Sequence, residues 1–143
     1  MINNRPGEMM ILKLENKIEE ISRLSQELER FSEKEDLPLK VGLNLNLVLE
    51  ELVTNTISYG YEDDQVHYIK VSIERSGETL LVCLEDDGLA FNPLKAEPPK
   101  ISSDLDSLTP GGLGIHLVKN LTDSVEYKRA EGKNILNLRI SLA

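Results

Sequence analysis

The sequence predicts an α+β domain: a two-layer α/β sandwich whose helices cover one face of a mixed, mostly antiparallel sheet. Three patterns carry that expectation. His67–Arg75 alternates, with Ile69, Val71 and Ile73 on one face and Tyr68, Lys70, Ser72 and Glu74 on the other. Before it lie two stretches with apolar residues at spacings of three and four, the period of a helix. After it a second alternating pair closes the chain, Val125–Arg129 and Ile135–Leu142, around Glu131-Gly132. Strands joined by short turns pair antiparallel, and the helices must bury their stripes against one side of the sheet.

In order, Met9-Met10-Ile11-Leu12 opens as a strand. Asn16 and Glu19 have the spacing of a capping box, so a first helix is expected from Asn16. Ile18, Ile21, Leu24, Leu28 and Phe31 form its stripe, which ends before Pro38. A second helix is expected from about Pro38 to Tyr59, with Leu39, Leu43, Leu49, Leu52, Val53 and Ile57 inward and Gly60 as its stop. Ser76-Gly77 turns the first hairpin, and Thr79–Leu84 is its return strand. Residues 90–110 hold four prolines and little periodicity, the mark of a long functional loop. A third helix is expected over Gly112–Leu121.

The chain has 143 residues, of which 40% are apolar, enough for one domain over 1–143 with one core. The net charge is −9 and there is no basic stripe, which argues against direct nucleic-acid binding. No run is long and apolar enough for a membrane span, and the first residues do not read as a signal peptide, so a cytoplasmic protein is expected. The lone Cys83 lies in Leu80–Leu84 and reads as a core residue.

Three short clusters carry chemistry. Glu51 and Asn55 are four apart on the second helix, so they share a face roughly 6 Å apart. A carboxylate there can take a proton from an attacking hydroxyl, and an amide oxygen suits Mg²⁺. Asp86-Asp87-Gly88-Leu89-Ala90 ends a strand. Its carboxylate can accept from an adenine amino group where guanine presents a carbonyl. Gly111-Gly112-Leu113-Gly114 opens a helix, where backbone N–H groups and the helix dipole favour an anion. Each cluster alone admits a plainer explanation: a solvated helix face, an Asp-Gly turn, a hinge.

Their order is more specific than any one of them. Glu51-Leu-Val-Thr-Asn55-Thr-Ile-Ser-Tyr-Gly60-Tyr61, then Asp86-Asp-Gly-Leu-Ala-Phe-Asn-Pro93, then Gly111-Gly-Leu-Gly-Ile-His-Leu-Val-Lys119 resembles the N, G1 and G2 boxes of the GHKL ATPases, which share the Bergerat fold. Within that superfamily the chain looks most like the anti-sigma regulatory factors, the serine-protein kinases of bacterial partner-switching systems. The resemblance implies ATP and Mg²⁺ as cofactors. Glu51 would be the general base and Asn55 the Mg²⁺ ligand. Asp86 would receive adenine, with Gly88 and Ala90 beside it. Gly111, Gly112, Leu113 and Gly114 would shape the phosphate site under an ATP lid at about 93–110.

The implied partners are an anti-sigma factor antagonist of the STAS type, phosphorylated on serine, and a sigma factor. A homodimer is implied as well. The alternative is a non-catalytic, ATP-responsive module that sequesters a regulatory partner. His67 and His116 both follow the N box, so neither matches the phospho-accepting histidine of a histidine kinase. The chain departs from the pattern in three places. Ala90 stands where the superfamily often has glycine. Asn134 stands where many relatives carry threonine beside the adenine. No basic residue adjoins Leu108-Thr109-Pro110, leaving Lys95, Lys100 and Lys119 as the cations near enough in sequence to meet phosphates.

Overall fold

The computed structural model describes residues 9–95 and 112–143. The order is β1 (Met9–Glu15), α1 (Glu20–Lys34), α2 (Leu39–Tyr59), β2 (Tyr68–Ser76), β3 (Thr79–Asp86), a 3-10 turn at Pro93–Lys95, α3 (Gly112–Leu121), β4 (Ser124–Ala130) and β5 (Lys133–Ser141). The sheet runs β1-β2-β3-β5-β4. All four pairings are antiparallel, so the sheet expected as mixed contains no parallel pair among the described residues.

Two tight turns set the register. Gly77 has φ +60 between Ser76 and Thr79, which face each other. Glu131 and Gly132 have φ +53 and +76, and Ala130 pairs with Lys133. Two-residue hairpins between right-twisted strands favour left-handed geometry at the first central residue, as at Gly77, or at both, as at Glu131 and Gly132.

One sheet face is the core. Leu12 and Leu14, then Ile69, Val71 and Ile73, then Leu80, Val82 and Leu84, then Leu136, Leu138 and Ile140 are all buried. The helices supply Leu24, Leu28 and Phe31 from α1, Leu45, Val48, Leu49, Leu52 and Val53 from α2, and Ile115 and Val118 from α3. Burial of each such side chain contributes about 1.5–3 kcal/mol.

Three expectations are corrected. The first helix begins at Glu20, and no capping box forms at Asn16 and Glu19. Asn16 instead stitches β1 to the residue before β2: its Oδ1 accepts from the His67 N–H at 2.9 Å, and its own N–H donates to the His67 carbonyl at 3.0 Å. Glu20 reaches back in place of Glu19, accepting from the Glu15 N–H at 3.0 Å. Ile18 is left outside the helix and exposed.

In α2, Leu39 and Leu43 are exposed, and Leu45 and Val48 take the inward positions. Apolar residues at every second position from Leu39 to Leu49 give no single helical face, so packing chose between them. Cys83 is half-buried on the open sheet face, out of phase with core-facing Val82 and Leu84. Burial and the nearby Glu85 push its thiol pKa up.

Candidate functional site

β3 buries alternate residues: Leu80, Val82, Leu84, then Asp86. β5 does the same from the other direction: Ile140, Leu138, Leu136, then Asn134. Asp86 pairs with Asn134 in the ladder. Two adjacent apolar columns therefore end in a facing polar pair, 8% and 9% exposed. A buried carboxylate and amide must hydrogen-bond or cost stability.

Asn134 makes four bonds. Its amide donates to Asp86 Oδ1 at 3.0 Å and to the Leu89 carbonyl at 2.8 Å. Its Oδ1 accepts from the Phe91 N–H at 3.2 Å and from the Tyr127 hydroxyl at 2.5 Å. Asp86 Oδ1 also accepts from the Gly88 N–H at 2.9 Å. Among the described residues no bond is made to Asp86 Oδ2, which is left to accept from a ligand. Burial raises the Asp86 pKa and Asp87 adds to that, while Asn134, the Gly88 N–H and Arg129 pull it back. The site thus holds a carboxylate whose charge an incoming donor would stabilise.

At Gly88 a neighbouring backbone group fills the space that a side chain would need. A Cβ there would lie 2.5 Å from the Gly60 carbonyl oxygen and 3.0 Å from Asp86 Oδ1. Gly60 O also accepts from the Leu89 N–H at 2.8 Å. The turn after β3 is thereby docked onto the end of α2. Arg129 closes the other side, donating to the Gly88 carbonyl at 2.9 Å. Ala90 is exposed, between the Leu89 carbonyl and the Phe91 N–H that Asn134 binds.

Farther along α2, Asn55 Nδ2 donates to Glu51 Oε1 at 3.3 Å, and both residues are half-buried. The Asn55 amide oxygen accepts nothing among the described residues, so a hard donor is available to a cation. Glu51 lies directly over Gly114 of α3: a Cβ on Gly114 would sit 1.8 Å from Glu51 Oε1 and 2.4 Å from its Cγ. No side chain fits there unless Glu51 moves. Glycine at 114 therefore gives the carboxylate its place, a role separate from facing an anion.

Helix α2 connects the two clusters. From Glu51 to Gly60 are nine residues, about 14 Å at 1.5 Å each. That span is comparable with an extended nucleoside triphosphate.

Gly112 begins α3 and Leu113 follows in it, while Gly111 lies outside the described residues. The expected lid at 93–110 does too, apart from the 3-10 turn. Lys119 donates to the Leu94 carbonyl at 3.2 Å, tying α3 to that turn. Lys100 and the Lys95 side chain lie outside the described residues.

Sequence reasoning missed Tyr127, Arg129 and the carbonyl of Gly60. The first two were within reach of it. A two-residue turn at Glu131-Gly132 forces Arg129 opposite Asn134, as observed, and puts Tyr127 two residues away on the same face.

The chain matches the family model described as histidine kinase-like ATPase domain over residues 14–140. It is 24% identical to the serine/threonine-protein kinase BtrW of Bordetella bronchiseptica over 111 residues, 78% of either chain. It is 25% identical to the serine-protein kinase RsbW of Bacillus subtilis over 96 residues, 64% of this chain and 60% of that one. It is 24% identical to the anti-sigma F factor of Oceanobacillus iheyensis over 89 residues, 62% of this chain and 61% of the relative. The match thus spans about three fifths of the length of these last two relatives. The structure of the RsbU and RsbW domains of a Mycobacterium tuberculosis protein superposes with a TM-score of 0.70 at 14% identity, covering 95% of this chain and 33% of that one, a likeness of fold. The resemblance carried by three short motifs therefore extends over most of the sequence, and the chain belongs to the histidine kinase-like ATPase domain family.

Proposed function

We propose that this protein is an ATP-dependent serine/threonine kinase and anti-sigma regulatory factor of a bacterial partner-switching system. The observation that carries the proposal is the placement of one carboxylate. Glu51 is held over Gly114, one helical turn from Asn55, on the helix whose far end packs on the Asp86–Gly88 turn. Adenine at Asp86 and a phosphate chain running along α2 would bring the γ-phosphate to Glu51.

The reaction follows from that placement. Glu51 takes the proton from a serine hydroxyl of a partner protein. The serine oxygen bonds to the γ-phosphorus as the bond to the β–γ bridging oxygen breaks, and ADP leaves. Phosphoryl transfer relies on positioning and charge neutralisation. Among the described residues there is no cluster of three or more His, Cys, Asp or Glu suited to a metal ion. An amide oxygen with no competing bond does suit Mg²⁺, which takes few protein ligands and binds with the phosphates. Asn55 would hold it, and the ion would supply charge neutralisation there.

Relatives named serine-protein kinase and anti-sigma F factor support the partner assignment. The acceptor serine would lie on a STAS-type anti-sigma factor antagonist, and a sigma factor would be held while the antagonist is phosphorylated. We assign a homodimer and a cytoplasmic location on the same resemblance. Among the described residues no helix is long and apolar enough to cross a membrane.

The test is transfer of labelled γ-phosphate from ATP to an antagonist protein. Replacing Glu51 by Ala should slow transfer about 10²–10⁴-fold, the range for loss of a general base. Equal transfer by wild type and variant would remove Glu51 from catalysis. No transfer by wild type, with ATP still bound, would favour the non-catalytic module.

A further inference from the structure

His67 stands just before β2, beside the turn that carries Asp86. Its ring lies between two carboxylates. Nε2 is 2.8 and 3.0 Å from the two oxygens of Asp63, and Nδ1 is 3.2 Å from each oxygen of Asp87. A neutral imidazole has one N–H and one lone pair. With a carboxylate on each nitrogen, the neutral form would set a lone pair against negative oxygen on one side. Only the imidazolium donates to both.

The ring is also mounted firmly. The His67 N–H and carbonyl are both bonded to Asn16 at the end of β1. Tyr61, in the loop after α2, stacks on the ring with centroids 4.4 Å apart and planes 19° from parallel. The Tyr61 hydroxyl is buried without a hydrogen-bond partner among the described residues. Burial, and then the charges of Asp86, Asp87 and Asp63, raise its pKa. Three carboxylates thus crowd this corner, and His67 is the cation set between two of them.

We propose that His67, as an imidazolium, is a positioning residue for the adenine carboxylate: it ties Asp87, and with it the Asp86–Gly88 turn, to the loop after α2, and its protonation tunes nucleotide affinity. The inference rests on the assignment of adenine to Asp86. Asp87 adjoins Asp86 in the chain, so the His67 contact and the Leu89–Gly60 bond hold the turn from both sides.

The charged groups that reach the ring are Asp63 from the loop after α2 and Asp87 from the turn after β3, while Asn16, just after β1, is neutral. Hydrogen bonds to Asp63 and then Asp87 raise the His67 pKa above the ordinary 6.5. The sign follows: the tether is complete below that ordinary value and is lost as pH rises through the elevated one. By linkage, a nucleotide that prefers the tethered turn must in turn raise the His67 pKa.

Mg-ADP binding by calorimetry at about pH 6 and about pH 9 tests this, in wild type, His67→Gln and His67→Arg. Titration of the nucleotide itself is common to all three and cancels in their ratios. Wild type should bind about threefold or more tightly than His67→Gln at the acid limit, and equally at the alkaline limit. His67→Arg, charged throughout, should keep the acid-limit affinity at both. In NMR titrations the His67 ring should lose its proton above pH 6.5, and later still with Mg-ADP bound. A wild-type to Gln ratio that is the same at both pH values, or a His67 titration unmoved by saturating Mg-ADP, overturns the proposal. Failure of wild type to bind Mg-ADP at either pH overturns the nucleotide-site assignment itself, and this inference with it.

Discussion

At one end of the site Asn134 makes four hydrogen bonds, Asp86 accepts two, and the surrounding turn is docked on Gly60. At the other end Glu51 and Asn55 share one bond of 3.3 Å and stay half-buried. Under the proposed function the two ends would have different physical tasks. Adenine is flat, weakly polar and read by few bonds, so its receptor must be rigid and satisfied before it arrives. Phosphates and a cation bring their own charges, so residues meeting them must keep free electron pairs and room to adjust. On that reading one end is finished by folding, and the other would be finished by the nucleotide and the protein acceptor.

The contrast breaks first at Glu51. The loss of transfer expected of Glu51→Ala, the largest effect here, should come with little change in adenine binding, because α2 and the Asp86 turn are untouched. A second break is at Gly114. In Gly114→Ala the new Cβ takes the place of the Glu51 carboxylate, which must swing away. A displacement of about 1 Å of a reacting group can cost about 10²-fold. Transfer should fall by about that factor while ATP affinity, measured by calorimetry, changes far less. A variant that lost affinity and transfer in equal proportion would show that Gly114 serves phosphate binding alone.

The proposed adenine end was more legible in the sequence than the proposed phosphate end, and the reason is periodicity. β2 alternates cleanly, and the hairpin register carries its phase across the continuous apolar run Leu80–Leu84 to Asp86, which pairs with core-facing Ile69 and lies in phase with Leu80, Val82 and Leu84. A carboxylate in that phase is an exception that calls for a purpose. Asn134 stands likewise in phase with Leu136 and Leu138. The Gly88–Gly60 contact was not legible, because it joins segments nearly thirty residues apart and depends on where α2 stops. The place of Gly114 under Glu51 was not legible either, because nothing in the sequence brings α3 onto that side chain. The start of α1 misled because Asn16 fits a cap as well as it fits a strand tie, and only the sheet register decides between them. The stripe of α2 misled because its leucines recur too often to mark one face.

Asp86 sharpens the comparison by separating binding from folding. Asp86→Asn keeps an oxygen for the Gly88 N–H and the Asn134 amide but places an N–H against the adenine amino group. ATP affinity should fall by roughly 1–3 kcal/mol, about 5- to 150-fold. Stability should move the other way. The Asp86 pKa is raised by burial, so the ionised group works against folding at pH above that pKa, a penalty relieved as pH falls through it. The neutral amide carries no such penalty. Thermal denaturation at neutral pH should show Asp86→Asn as stable as wild type or more so. A variant that lost stability while binding ATP normally would make Asp86 a structural residue.

Tyr127 carries the smallest effect and the finest distinction. Its hydroxyl donates to Asn134 Oδ1, an oxygen that also accepts from the Phe91 N–H. Removing the hydroxyl in Tyr127→Phe leaves that oxygen with one partner, so no buried acceptor is stranded. The cost should be that of one net hydrogen bond, about 0.5–1.5 kcal/mol in chemical denaturation. Asn134 keeps its amide bonds to Asp86 and Leu89, so Asp86 stays in place and ATP affinity should change by less than about threefold, under 1 kcal/mol. The opposite result, full stability with affinity cut tenfold or more, would mean that the network is assembled by the ligand. The adenine end would then resemble the phosphate end, with its order supplied on binding rather than by the fold.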